Sequence, residues 1–142
     1  MELLGNFTNT LDAKNRVIFP AKFREDLGAT FVITVNVDRC LSAYSLEEWE
    51  KYTAKLNALP KTQVRDITRF ICGIAMKATP DCQGRVGLSK ELIEYASIES
   101  GVTFIGCGDR VEIWDERVAP SPASYDADKV NDIRDLMLEY GL

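Results

Sequence analysis

LDAKNRVIFPAKFREDLG, from Leu11 to Gly28, returns in altered form as PDCQGRVGLSKELIEYA, from Pro80 to Ala96. The two copies align at a spacing of 69 positions, which places the D-x-x-x-R motif that begins at Asp12 over the one that begins at Asp81. Each half is short and carries an apolar face that the other half must cover. The duplication therefore predicts two halves that pack around a pseudo-twofold axis.

Each copy of the motif is predicted to form a turn between two short strands. Asn15 and Gly84 occupy matching positions, and both residue types tolerate the left-handed backbone that tight strand connections require. Apolar runs follow each copy, and they predict further strands. These runs are Phe31 to Val35 and Leu41 to Tyr44 in the first half, and Val102 to Ile105 and Val111 to Trp114 in the second.

Helices are predicted after each motif and between the two halves. Pro20 can open a short helix that Gly28 closes, and Ser89 stands at the cap position before a second one. Apolar residues three to four apart predict amphipathic helices from Leu46 to about Leu59 and from about Thr62 to Cys72.

The C-terminal segment follows a linker rich in proline and serine, and Asp126 can cap a last helix. Its apolar stripe contains Val130, Ile133, Leu136 and Met137. We expect this stripe to pack on a neighbouring subunit or to lie loosely on the chain. The expected organisation is a first repeat with its helix over residues 1–60, a connecting helix over 61–76, a second repeat over 77–120 and a tail over 121–142.

The composition argues against catalysis. The 142 residues include no histidine, so the chain lacks Ser-His-Asp and Cys-His pairs and the H-E-x-x-H metal motif. No glycine-rich phosphate loop is present, and the four cysteines show no metal-ligand spacing. We therefore expect no enzyme, no cofactor, no metal site and no small-molecule substrate. The absence of a long apolar run predicts a cytoplasmic protein without membrane contact.

Charge is distributed unevenly along a chain whose net charge is −5. The stretch from Ala13 to Arg24 carries four cations and no acid, whereas the stretch from Asp81 to Glu94 carries two cations and three acids. A cationic turn on an acidic body is typical of a localised DNA-binding surface.

Other interpretations remain open at this stage. Arg16 and Arg85 could serve only as ion-pair partners of Asp12 and Asp81, and the charge pattern makes this role more prominent for Arg85. The chain would then be an oligomeric interaction scaffold or an antitoxin-like module. A thiol-dependent enzyme that uses Cys82 is disfavoured because no histidine is available as a base.

The whole set of motifs resembles the MraZ family, whose members are bacterial transcriptional regulators with two SpoVT-AbrB-type repeats. The resemblance rests on LDAKNRVIFPAKFRE, on the D-x-Q-G-R of Asp81 to Arg85 and on Val111-Glu112-Ile113-Trp114-Asp115. It implies an α+β fold, namely a duplicated swapped-hairpin AbrB-like β-barrel with short flanking helices. It also implies a ring of roughly eight to twelve subunits that associates with the nucleoid. The implied partner is promoter DNA with direct repeats upstream of the division and cell-wall gene cluster, and regulation is usually by repression.

Within that resemblance, the chemistry of the side chains suggests individual roles. A guanidinium can bond guanine O6 and N7 together, so Arg16 is the candidate base reader and Arg85 its counterpart in the second repeat. Asp12 and Asp81 are expected to orient the two turns. The candidate phosphate contacts are Lys14, Lys22 and Arg24.

Two departures from the family pattern concern the repeats themselves. Asn15 stands where the family typically has glycine, and Gly87-Leu88-Ser89 replaces a more usual apolar-apolar-proline run. The second departure predicts that the second repeat is the weaker DNA reader.

Overall fold

The structure is a computed structural model that describes residues 2–142. Eight strands and five α-helices alternate along this part of the chain. The strands are β1 (Asn6–Thr10), β2 (Arg16–Ile18), β3 (Phe31–Asn36), β4 (Cys40–Ser45), β5 (Met76–Ala78), β6 (Arg85–Gly87), β7 (Gly101–Gly106) and β8 (Val111–Asp115). The helices are α1 (Ala21–Leu27), α2 (Leu46–Asn57), α3 (Lys61–Gly73), α4 (Lys90–Ala96) and α5 (Ala127–Glu139), and a 3₁₀ turn spans Pro122–Ser124.

The two halves of the chain share one antiparallel sheet. Its strand order is β1-β7-β8-β4-β3-β5, so β1 of the first half pairs with β7 of the second, and β4 pairs with β8. The two motif strands, β2 and β6, pair only with each other in a separate ribbon. The fold is therefore α+β, as predicted.

The predicted closed barrel is wrong for the part of the chain that the structure describes. The main sheet stays open, with β1 at one edge and β5 at the other. The physical reason lies in strand length, because β5 has three residues and covers only part of β3. The strands of the ribbon are equally short, and their inward residues join the core without extending the sheet.

Helices cover both faces of the central β3–β4 hairpin, which explains why β4 is buried along its whole length. On one face Ile33 and Leu41 join the main core with Phe23 of α1 and Leu92 of α4. On the other face the ring of Tyr44 packs against aromatic rings of α2. Burial on both sides is expected for a strand whose sequence lacks polar alternation.

The local helix signals are confirmed. Pro20 and Gly28 bound α1, and the Ser89 hydroxyl accepts a hydrogen bond from the Leu92 amide at the start of α4. Side-chain caps also open α2, at Ser45, and α5, at Asp126. These oxygens bond amides that have no partner within the helix.

Helix α5 differs from the other four α-helices in that none of its residues is buried. Val130, Leu136 and Met137 are 50, 55 and 45% exposed. The predicted apolar stripe therefore exists without a covering surface in the single chain. Across residues 2–142, no helix has the length and apolar character needed to cross a membrane.

Candidate functional site

The first motif folds into a tight loop, here called loop 1 (residues 12–16), that one carboxylate holds together. Asp12 Oδ1 accepts hydrogen bonds from the amides of Lys14 and Arg16 at 2.8 and 2.9 Å. Asp12 Oδ2 accepts a third from Arg16 Nε at 2.9 Å. Asn15 takes the left-handed conformation that closes the turn, with φ at 58°.

The second motif, here called loop 2 (residues 81–85), repeats this arrangement atom for atom. Asp81 Oδ1 accepts from the amides of Gln83 and Arg85, both at 2.9 Å, and Asp81 Oδ2 accepts from Arg85 Nε at 2.7 Å. Gly84 holds the left-handed position with φ at 80°. The ion pair that the alternative interpretation assigned chiefly to Arg85 is therefore present in both loops.

Hydrogen bonding lowers the pKa of both aspartates below their ordinary value. For Asp12 the largest contribution is the amide of Arg16, and for Asp81 it is the amide of Arg85, followed by the Arg85 side chain. Both carboxylates are therefore charged at neutral pH, and each holds its arginine through Nε.

The two loops are joined symmetrically by the ribbon of β2 and β6. Val17 pairs with Val86, its counterpart in the other copy, and both are buried in the core. Beyond the ribbon the Phe19 amide donates to the Gly84 carbonyl at 3.0 Å. The matching Leu88 amide donates to the Asn15 carbonyl at 2.9 Å. Each half thus holds the loop of the other.

Both motif arginines lie on the outer face of this ribbon. Arg16 pairs with Gly87, and Arg85 pairs with Ile18, so these four residues share the face opposite the buried valines. The two arginine side chains are 32 and 29% exposed. Among guanidinium nitrogens of this pair, only Nε is hydrogen-bonded to a residue within 2–142. The Nη ends remain open to an outside acceptor.

The other predicted cations fall into two groups. Lys14 and Lys22 are exposed, and neither ammonium forms an ion pair within the described chain. Arg24 is half-buried and points to the second loop instead of its own. Its Nε donates to the Phe19 carbonyl at 2.9 Å, and a Cβ placed on Gly84 would lie 2.6 Å from its Cζ.

The positions around the loops have diverged in charge. At the spacing of 69, Lys14 corresponds to Gln83, Lys22 to Glu91 and Arg24 to Ile93. The second-half counterparts of these three predicted cations are therefore neutral or acidic.

Sequence reasoning missed two members of this site. Ile18 is 47% exposed between the arginines, and the backbone carbonyl of Phe19 anchors Arg24. Strand alternation beside the buried Val17 could have placed Ile18 outward. No sequence signal identifies the contact of Arg24 with Gly84, because it joins residues of different halves.

The fold and the site together define a class of protein, an α+β chain whose paired loops present two arginines on one ribbon face. Known sequences identify the family. The profile described as "MraZ protein, putative antitoxin-like" matches residues 3–69 and 71–118. A protein of Thermoanaerobacter sp. (strain X514) named Transcriptional regulator MraZ is 50% identical over 118 residues, which are 82% of each chain. The chain belongs to the MraZ family of transcriptional regulators.

Two further relatives carry the same name. The protein of Caldanaerobacter subterraneus subsp. tengcongensis is 48% identical over 118 residues, again 82% of each chain. That of Acetivibrio thermocellus is 47% identical over 114 residues, or 79% of this chain and 80% of its own. The family profile ends at residue 118, so α5 lies outside it.

Proposed function

We propose that this chain regulates transcription by reading promoter DNA with the outer face of the β2–β6 ribbon. The observation that carries the proposal is the placement of Arg16 and Arg85 on that face with their Nη ends free of partners within residues 2–142. Each aspartate accepts only the Nε hydrogen of its arginine's guanidinium. The same arginine can therefore be oriented by the aspartate and bond a base through its Nη atoms. A guanidinium end fits guanine O6 and N7 in the major groove.

The dimensions of the ribbon agree with this role. Arg16 and Arg85 are diagonal neighbours across the two strands, a relation that corresponds to about 7–8 Å. The major groove of B-DNA is about 12 Å wide and admits a two-stranded ribbon. Both arginines therefore reach one groove, and the exposed Ile18 between them suits contact with a thymine methyl group.

The remaining cations supply contacts to the DNA backbone. Lys14 and Lys22 are exposed and lack ion pairs within the described chain, so they are available to phosphates. They would position the ribbon without distinguishing sequences. The overall negative charge of the chain then limits binding elsewhere on the surface.

Several copies are needed for tight binding, since one ribbon contacts few base pairs. We infer a ring-shaped homo-oligomer that engages direct repeats of the promoter, with affinity multiplied by effective concentration. The uncovered stripe of α5 supports self-association. Repression at the division and cell-wall gene cluster, in the nucleoid, is the regulatory role we assign.

The test is a fluorescence anisotropy titration of the full chain with DNA from upstream of its own gene. We expect tight binding to a fragment with intact direct repeats and weak binding to a fragment of scrambled sequence. Equal affinity for both fragments would reject sequence reading.

Light scattering should show a particle far larger than the 15.9 kDa chain. A monomer at micromolar concentration would reject the multivalent mechanism and leave the ribbon proposal to the titration.

A further inference from the structure

Arg24 belongs by sequence to the first repeat, yet it lies against the loop of the second. Its Nε donates to the carbonyl of Phe19, and the amide of Phe19 in turn donates to the carbonyl of Gly84. The guanidinium covers Gly84 so closely that a Cβ there would lie 2.6, 2.8 and 2.9 Å from its Cζ, Nε and Nη2 atoms. Arg24 therefore holds both ends of the Phe19–Gly84 contact.

The opposite contact has no such clamp. The Leu88 amide donates to the Asn15 carbonyl, and the residue that corresponds to Arg24 in the second half is Ile93, which cannot donate a side-chain hydrogen bond. The two loops therefore differ in how firmly the other half holds them. This difference also accounts for the residue at the left-handed position: Asn15 carries a side chain, whereas Gly84 leaves room for the guanidinium.

We propose that Arg24 is a positioning residue that fixes loop 2, and through it Arg85, against the first half of the chain. Loop 2 carries Arg85 at its end, so a shift of Gly84 changes where the Arg85 guanidinium points. The clamp holds loop 2 against the ribbon and so keeps the direction of Arg85 fixed. The effect on DNA rests on the proposed function, whereas the clamp itself does not.

A lysine substitution separates this role from a phosphate contact. Arg24→Lys keeps the positive charge but loses the planar guanidinium that bonds Phe19 and covers Gly84. We expect Arg24→Lys to weaken specific binding about as much as Arg24→Ala. In an Arg85→Ala background, we expect each Arg24 substitution to cause little further loss of DNA affinity, because the residue that it positions is already absent. Recovery of wild-type affinity by Arg24→Lys would overturn the positioning role and make Arg24 a phosphate contact.

Salt dependence provides a second readout on the same variants. The slope of log affinity against log salt is negative, and a lost phosphate contact reduces its magnitude by about 0.9. We expect Arg24→Lys to lower affinity with less than half that change in slope. A full change in slope for Arg24→Ala, absent from Arg24→Lys, would again favour a phosphate contact.

Hydrogen exchange tests the clamp without DNA. We expect the Phe19 amide to exchange about fivefold faster in Arg24→Lys, a factor that corresponds to a hydrogen bond of about 1 kcal/mol. The Leu88 amide is the internal control and should change less than twofold. Unchanged exchange at Phe19, or equal acceleration at both amides, would overturn the clamp even if the protein binds DNA as proposed. Faster exchange at Phe19 alone would support it even if no DNA bound.

Gly84→Ala perturbs the same contact from the side of loop 2. The new Cβ would displace the guanidinium, since the end of an arginine is free to move, and would also strain a residue with φ at 80°. In an Arg24→Ala background only the strain remains. We therefore expect a smaller acceleration of Phe19 exchange by Gly84→Ala in that background than in the wild type. Equal effects in both backgrounds would show that the guanidinium does not constrain loop 2.

Discussion

Loop 1 and loop 2 have nearly the same backbone and different surroundings. In each, one aspartate accepts two amides and an arginine Nε, with distances between 2.7 and 2.9 Å. Loop 1 contains Lys14 and is followed along the chain by Lys22, whereas the corresponding positions in the second half are Gln83 and Glu91. The comparison separates the residues that form the turn, which both loops share, from the charged residues near it in sequence, which differ.

The aspartate and the arginine are kept in both copies because they make the turn. Each Asp satisfies amides that the turn leaves without backbone partners, and each Arg balances the carboxylate. The neighbouring cations take no part in these bonds, so the fold allows them to change. Under the proposed function, their presence in one half alone predicts that the first half contributes more to attraction of DNA.

The largest effect is expected from Arg16→Ala. Loss of one bidentate contact to guanine costs about 1–3 kcal/mol, and the loss is multiplied when several subunits bind one promoter. We expect specific binding to disappear in an anisotropy titration while the thermal unfolding midpoint changes little.

Arg134→Ala is the matched control for this change, since it removes an equally charged side chain from α5 that is 66% exposed. It should bind the promoter fragment like the wild type. Wild-type affinity and discrimination in Arg16→Ala would remove Arg16 from base reading and leave it as the partner of Asp12.

Arg85→Ala should cost less affinity than Arg16→Ala. Its guanidinium is presented in the same way, but its own stretch from Asp81 to Glu94 carries three acids against two cations, and such charges act over a Debye length of about 8 Å at physiological salt. Matched titrations of the two variants decide the order. A greater loss for Arg85→Ala would make the second loop the principal reader.

The stability of these two variants sharpens the same comparison. Charge along the sequence suggested a mainly structural role for Arg85, but the ion pairs of the two arginines are equivalent in distance and exposure. We therefore expect similar thermal midpoints for Arg16→Ala and Arg85→Ala. A clearly lower midpoint for Arg85→Ala would restore the structural interpretation.

The features that sequence predicts well here are local ones. The turns at Asn15 and Gly84 follow from residue type, and the cap at Ser89 follows from the position of a hydroxyl before an apolar periodicity. The turns and the cap both depend on residues that are close in the chain, so the local sequence is sufficient to predict them.

The features that sequence did not predict depend on distant residues. Closure of the sheet would require the edge strands β1 and β5 to pair, and these strands lie far apart in the chain. The position of Arg24 depends on packing between the halves, since it bonds Phe19 of the first half and lies against Gly84 of the second. Sequence order groups Arg24 with the charges of loop 1, whereas in space its guanidinium lies against Gly84 of loop 2.

A smaller effect is expected from exchanging the charges that distinguish the loops. Lys22→Gln should weaken binding to all sequences and lower the salt slope by about 0.9 if Lys22 makes one phosphate contact. Glu91→Gln, at the corresponding position, should strengthen binding slightly because it removes a repulsive charge. Titrations at several salt concentrations measure both. Weaker binding in Glu91→Gln would contradict a repulsive effect of the Glu91 charge on DNA.

The smallest effect is expected from Asn15→Gly, which makes the turn residue of loop 1 the same as that of loop 2. Asn15 already tolerates φ at 58°, so glycine relieves only modest strain while it adds freedom to the unfolded chain. These contributions oppose each other and are each below about 1 kcal/mol, so denaturant unfolding and promoter titration should both match the wild type. Gly84→Asn is the reciprocal change, and it should lower stability because the new side chain meets both a φ of 80° and the Arg24 guanidinium. Equal effects of the two substitutions would show that the loops are held alike, and the difference between them would then reside in charge alone.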